Sequence, residues 1–304
     1  MPVKLIDHAR YWLGIFRQAA DIWLKSNAFA NAGSLAFFTL FSIAPVMIVI
    51  VSVIGVFYGQ EAAEGQIAAQ LQETIGADAA EAVQNAVSAS SFKEGGLLPT
   101  IGGLLAMLIG ATTVFGQMQN SLNAIWAVIP KPSRNSIFLL LRKRLTSLTI
   151  VLAVGFVMLV SLSLGVGLRI LLQHVQGWLP WYDVAFSAVD LLLSLLVVSL
   201  LFATIFKVLP DVELGWRDVA VGSVLTAVLF TLGRYLIALY LSYSATASTY
   251  GAAGSLVLLL LWVNYSSLIL LYGAAFVRAH LLARGVTVKP RSVAVRVRHE
   301  IIED

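Results

Sequence analysis

"GSLVLLLLWVNYSSLILLYGAAFV", Gly254 to Val277, contains no charged side chain. As a helix rising 1.5 Å per residue it reaches about 36 Å, enough to cross a hydrocarbon core about 30 Å thick. Its apolar residues fall on every side of such a helix, so no face is left for water. This stretch decides the class, because it has no reason to form in a water-soluble fold of ordinary composition.

The rest of the chain repeats the pattern. The 304 residues are 59% hydrophobic and 12% charged, with mean hydropathy +0.87. Soluble domains are typically about 25% charged. Charge-free runs extend from Ser26 to Gln60, Gly95 to Pro130, Leu145 to Leu168 and Tyr235 to Val277. Shorter ones cover Leu191 to Phe206 and Val219 to Gly233. The expectation is an all-α polytopic membrane protein with six spans: Gly33–Tyr58, Leu97–Gly116, Thr146–Leu171, Val184–Phe206, Val219–Ser242 and Gly254–Val277. Residues 1–280 would form one membrane domain and 281–304 a basic cytoplasmic tail. No secretory signal peptide is evident. With no cysteine, disulfides, thiolate metal sites and a cysteine nucleophile are excluded.

Orientation follows from the 20 Lys and Arg. The N-terminal region, the connection after the second span, the connection after the fourth and the C-terminal region together hold 17 of them. The opposite side has Lys93 alone, and Arg169 and Arg234 fall within spans. The positive-inside rule places both termini in the cytoplasm. The net charge of +4 then reflects topology and carries no nucleic-acid footprint.

Two segments lie outside the spans. Over residues 4–26, Leu5, Ala9, Trp12, Phe16, Ala20, Trp23 and Leu24 recur at helical steps, with Lys4, Arg10, Arg17 and Lys25 on the remaining face. The pattern predicts an amphipathic helix lying in the inner-leaflet interface or packed on other protein. The outer loop, 60–96, is acidic. Ile67, Leu71, Ile75, Val83 and Val87 predict two short helices over the outer mouth.

Catalytic motifs are missing. There is no G-x-x-x-x-G-K-[ST] loop, no H-E-x-x-H and no G-x-S-x-G. His8, His174, His280 and His299 are scattered and show no metal-ligand spacing. Among the acids on the cytoplasmic side, Asp211 and Glu213 are the one close pair outside the C-terminal region, in the turn "LPDVELGWRD". The expectation is no enzyme, no metal and no cofactor.

Polar residues inside spans carry the functional reading. Arg234 lies about eight residues from the outer end of its span, or roughly 12 Å deep. An arginine at that depth needs a partner or a water-filled cavity. Asp190 is the one acid within a span, with Arg169 also in the outer half. Thr231 stands one turn from Arg234. These residues form either a structural salt bridge or part of a cavity for an anion or lipid headgroup. Gln117 and Asn120 continue a polar stripe from Thr113 that either bonds neighbouring helices or lines the same cavity. Pro45 should kink the first span, as packing or as a gate.

Four stretches resemble the YihY/BrkB family of bacterial inner-membrane proteins: "AGSLAFFTLFSIAPVMIVI" (32–50), "LPDVELGWRDVAVGSVLTAVLF" (209–230), "GRYLIALYL" (233–241) and "STYGAAGSLVLLLLWVNYSSLILLYGAAF" (248–276). The resemblance covers Ala28 to His280. It implies six spans with both ends in the cytoplasm and a basic residue at the Arg234 position. Asn264 departs from the family pattern, which more often has an aliphatic or aromatic residue there. Family members once labelled as a tRNA-processing ribonuclease are regarded as misassigned. Others are called serum-resistance or virulence factors, and some are linked to export of envelope lipids. The resemblance therefore implies membrane lipids, including an anionic lipid or lipid precursor, as partners. The leading expectation is a protein that binds or transports an amphipathic anion through a cavity in the bundle. The alternative is a non-transporting envelope scaffold whose buried charges only fix packing.

Overall fold

The computed structural model describes residues 2–59, 97–131, 182–243 and 254–297, with parts of 65–85 and the residues Phe156 and Val160. In chain order the described elements are α1 (Pro2–Lys25), α2 (Ala28–Tyr58), α3 (Leu97–Trp126), β1 (Val128–Pro130), α4 (Tyr182–Val208), α5 (Trp216–Tyr243), α6 (Gly254–Ala283) and β2 (Ala294–Arg296). The all-helical expectation holds apart from a two-stranded antiparallel ribbon, in which Ile129 faces Val295. The third expected span, Thr146–Leu171, lies outside the described residues except for Phe156 and Val160.

Segments of α4, α5 and α6 are long and apolar enough to cross a membrane: Leu191–Val208, Trp216–Ile237 and Leu256–Ala283. Helix α5 shows how such a helix is sided. Val221, Val224, Val228, Leu232 and Leu236 face outward. Ser223, Thr226 and Ala227 are buried. The large apolar residues lie outside and the small and polar ones inside, the reverse of a helix in water. Their hydroxyls are satisfied within the helix: Ser223 Oγ donates to the Val219 carbonyl at 2.8 Å and Thr226 Oγ1 to that of Gly222 at 2.6 Å. This is the architecture of a helical membrane protein, where small residues bring helices together and bulky ones meet lipid.

Close approach between α5 and α6 depends on glycine. A Cβ on Gly273 would fall 1.9 Å from Thr226 Oγ1, and one on Gly233 would fall 2.1 Å from the Tyr265 ring. A larger residue at either position would force the Thr226 or Tyr265 side chain, or its helix, to shift.

Helix α1 ends where Ser26 Oγ donates to the Trp23 carbonyl and Asn27 takes a left-handed conformation, φ 54°. Asparagine tolerates that region better than most residues. The chain then turns into α2, which runs unbroken through Pro45.

Helix α1 packs along α6. Ile15 and Ala19 are buried against Phe276 and Ala279. Trp12 stacks on His280 with ring centroids 5.6 Å apart, and Trp23 Nε1 donates to the Leu268 carbonyl at 3.2 Å. Trp12, Phe16 and Trp23 of the expected stripe all touch α6, the Phe16 ring lying 5.0 Å from that of Phe276, with Ile15 and Ala19 buried beside them; Leu24 points outward. Parts of the outer loop also pack: Ile67 and Val83 are buried with Met47, Ile50, Val51 and Leu259. The described residues on either side of both are helical.

Candidate functional site

The charge predicted to carry function is one residue from a point where two helices touch, Gly233 against Tyr265. Arg234 follows Gly233 on α5, and its half-buried guanidinium has Cζ 5.3 Å from the centroid of the Tyr235 ring. That distance is within cation–π range, and Arg234 has a further interaction besides. Thr231 Oγ1, one turn earlier, donates to the Ala227 carbonyl at 2.8 Å. Its single donor is therefore spent within α5. Asp190 lies on α4, the helix packed beside α5; its side chain lies outside the described residues, as does Arg169.

The expected polar stripe on α3 is rotated in the structure. Asn120 is exposed and Gln117 is half-buried, its carbonyl accepting from Ser121 Oγ at 3.0 Å. The buried stripe is instead Thr112, Gln119 and Asn123. Gln119 and Asn123 are four apart and so share a face of the helix. That face points at the turn between α4 and α5.

There the two amides meet Asp211. Asn123 Nδ2 donates to Asp211 Oδ2 at 2.8 Å, and the Asp211 backbone N–H donates to Asn123 Oδ1 at 2.8 Å. Gln119 Nε2 donates to Asp211 Oδ1 at 3.2 Å. All three side chains are buried. Each carboxylate oxygen has a donor, which a buried charge requires. Glu213, two residues on, is exposed. The pair that reads as two adjacent acids is thus split into a buried structural group and a surface one.

The C-terminal segment closes over this turn. The Arg291 N–H donates to the Asp211 carbonyl and the Glu213 N–H to the Lys289 carbonyl, both at 2.9 Å. The Arg291 guanidinium donates to the carbonyls of Lys207 and Val208, at 3.0 and 3.2 Å. It therefore caps the C-terminal end of α4, where orphan carbonyls and the helix dipole favour a cation. Arg278 does the same for α3, its Nη1 donating to the Ile125 carbonyl. Lys207 in turn lies 4.0 Å from the centroid of the Trp216 ring. The basic residues counted as positive-inside markers thus also fasten helix ends.

This clasp was missed in the sequence because its members are far apart in the chain. One signal was present: Gln119 and Asn123 at i and i+4 beyond the apolar run of the second span. A second was "SVAVRVR" (292–298), whose alternation marks a strand.

No solved structure matches the chain. It is 26% identical over 262 residues to a UPF0761 membrane protein of Stenotrophomonas maltophilia, covering 83% of this chain and 57% of that protein. It is 28% identical over 264 residues to a UPF0761 membrane protein of Tolumonas auensis, covering 81% and 78% respectively. A UPF0761 membrane protein of Mannheimia succiniciproducens is 26% identical over 254 residues, covering 80% of this chain and 81% of that protein. The chain spans little more than half the length of the Stenotrophomonas relatives. The family profile described as virulence factor BrkB matches residues 20–296, which include every stretch that carries the resemblance. On that match, and with apolar helices sided for lipid, the chain is a membrane protein belonging to the BrkB virulence-factor family.

Proposed function

We propose that this protein binds an amphipathic anion, such as an envelope lipid, inside its helix bundle and moves it between membrane leaflets. In this reading the chain crosses the bacterial inner membrane six times with both ends in the cytoplasm. It catalyses no covalent reaction. Arg234 recognises the anionic group, with Asp190 as its counter-ion and Arg169 nearby. The observation that supports the reading is the position of Arg234. It is a permanently charged, half-buried group beside the α5–α6 contact, in a helix whose outward face is apolar. A charge in such a place is costly and marks a pathway more often than it marks surface.

The test must separate recognition from packing. Removing one partner of a buried ion pair typically costs about 3–5 kcal/mol, because the other charge is stranded. The double change Arg234→Leu with Asp190→Leu removes both charges together. The readout is the set of anionic lipids that co-purify with wild type and variant, identified by mass spectrometry. The proposal predicts a folded variant depleted of them. Equal lipid content in both would leave the charges as helix packing and favour a scaffold role.

A further inference from the structure

At the end of the bundle where α3, α4 and α6 finish, a cavity of about 130 Å³ opens between Trp126, Val212, Leu281, Thr287, Arg278 and Arg296. It is large enough for several water molecules, and hence for one phosphate group. Among the described residues that line it there is no carboxylate, while two guanidinium groups are present. Each guanidinium makes a hydrogen bond to a neutral carbonyl: Arg278 to Ile125, and Arg296 Nη2 to Val288 at 2.5 Å. A guanidinium has five N–H donors, so each keeps donors to spare. Two like charges beside one partly enclosed space repel each other, and Arg278, the more buried of the two, is partly desolvated as well.

We propose that this cavity is an anion site that takes a phosphate group, held between the forks of Arg278 and Arg296. A phosphate dianion offers the oxygens and the charge that two planar forks satisfy together. The Thr287 hydroxyl stands at the same cavity as a further donor. The phosphate is either free or the headgroup of a phospholipid. The lining residues Leu282 and Val286 are also exposed, which gives an apolar rim beside the end of α6. The site is separate from Arg234, which lies 18 residues along α5 from Trp216, or about 27 Å away along the helix. The proposal stands or falls independently of that residue.

The test uses the full chain in detergent, titrated calorimetrically with inorganic phosphate at constant ionic strength. In parallel, the protein is exposed to mixed phosphatidylglycerol and phosphatidylcholine, and retained lipid is measured. The main variant is Arg296→Gln, because Arg296 is exposed and its loss leaves the core intact. Arg284→Gln, a loss of charge nearby but outside the cavity, controls for bulk electrostatics. Helical circular dichroism checks the fold of each. Phosphate binding that weakens about tenfold or more in Arg296→Gln, with Arg284→Gln unchanged, supports the site and identifies free phosphate. Retention of phosphatidylglycerol alone, lost in Arg296→Gln only, supports it and identifies a headgroup. Binding of neither ligand, or equal loss in both variants, overturns it.

Discussion

Asn123 and Asp211 hold each other by two reciprocal hydrogen bonds, side-chain amide to carboxylate and backbone N–H to amide oxygen, each 2.8 Å long. They are 88 residues apart and both buried. This pair fixes the end of α3 to the turn between α4 and α5. Replacing Asn123 by Leu strands a buried carboxylate oxygen and a buried backbone N–H. Unsatisfied buried groups cost about 1–3 kcal/mol each, more when charged. Thermal unfolding in detergent should show Asn123→Leu destabilised by about 3 kcal/mol. Asp211→Asn, which keeps the shape and most of the bonding, should lose less. Equal losses would contradict this, and would mean that the carboxylate charge itself, not the shape of the bonding, holds the clasp.

The Gly273–Thr226 contact predicts a pair of variants that rescue each other. Gly273→Ala puts a methyl against Thr226 Oγ1, and overpacking of this kind typically costs about 1–3 kcal/mol. Thr226→Ala removes the obstructing hydroxyl. The double variant should be more stable than Gly273→Ala alone, as a double-mutant cycle measured by thermal unfolding reads directly. Strict additivity would show that the helices do not meet there.

Helix α1 gives a third prediction. Ile15 is buried against α6 with Ala19, Phe276 and Ala279. Ile15→Ala should cost about 2–4 kcal/mol if that interface is part of the cooperative fold. If α1 lies on the membrane surface and contributes nothing to folding, unfolding midpoints will not move.

Topology is open to a direct check. The Lys and Arg distribution predicts that both termini lie on the cytoplasmic side. Reporter fusions after Asp304 and within 60–96 should read cytoplasm and exterior respectively. The same compartment at both positions would contradict the six-span arrangement.

What the residues disclosed, and what they hid, follows from hydropathy. The expected span Val184–Phe206 is found within α4, Val219–Ser242 within α5 and Gly254–Val277 within α6. Each helix is longer than its apolar run, because hydropathy reports the bilayer while backbone hydrogen bonding continues past it. Helix α3 shows this most clearly: the apolar run stops at Gly116, yet the helix continues to Trp126. The extra turns carry Gln119 and Asn123, polar for the clasp and therefore invisible to a search for apolar spans. For the ribbon, β2 lies inside the alternating stretch "SVAVRVR", but β1, three residues ending in a proline, has no period of its own to show where that strand would pair. Residues 281–297, read as a basic tail, instead fold back through Arg291, Ala294 and Arg296. Arg234 was legible as an anomaly of composition. The lipid function proposed for it rests on charge and depth, which no local pattern can specify further.

Leaflet exchange is the most direct measure of the proposed function. Purified protein would be reconstituted into vesicles that contain a fluorescently labelled anionic lipid, with a labelled zwitterionic lipid in a parallel set. A membrane-impermeant quencher then reports the fraction of label reaching the outer leaflet. The account predicts that wild type speeds exchange of the anionic lipid over protein-free vesicles. It further predicts that the Arg234→Leu, Asp190→Leu double variant, folded by circular dichroism, does not. Exchange at the protein-free rate with wild type, or undiminished exchange with the double variant, would contradict it.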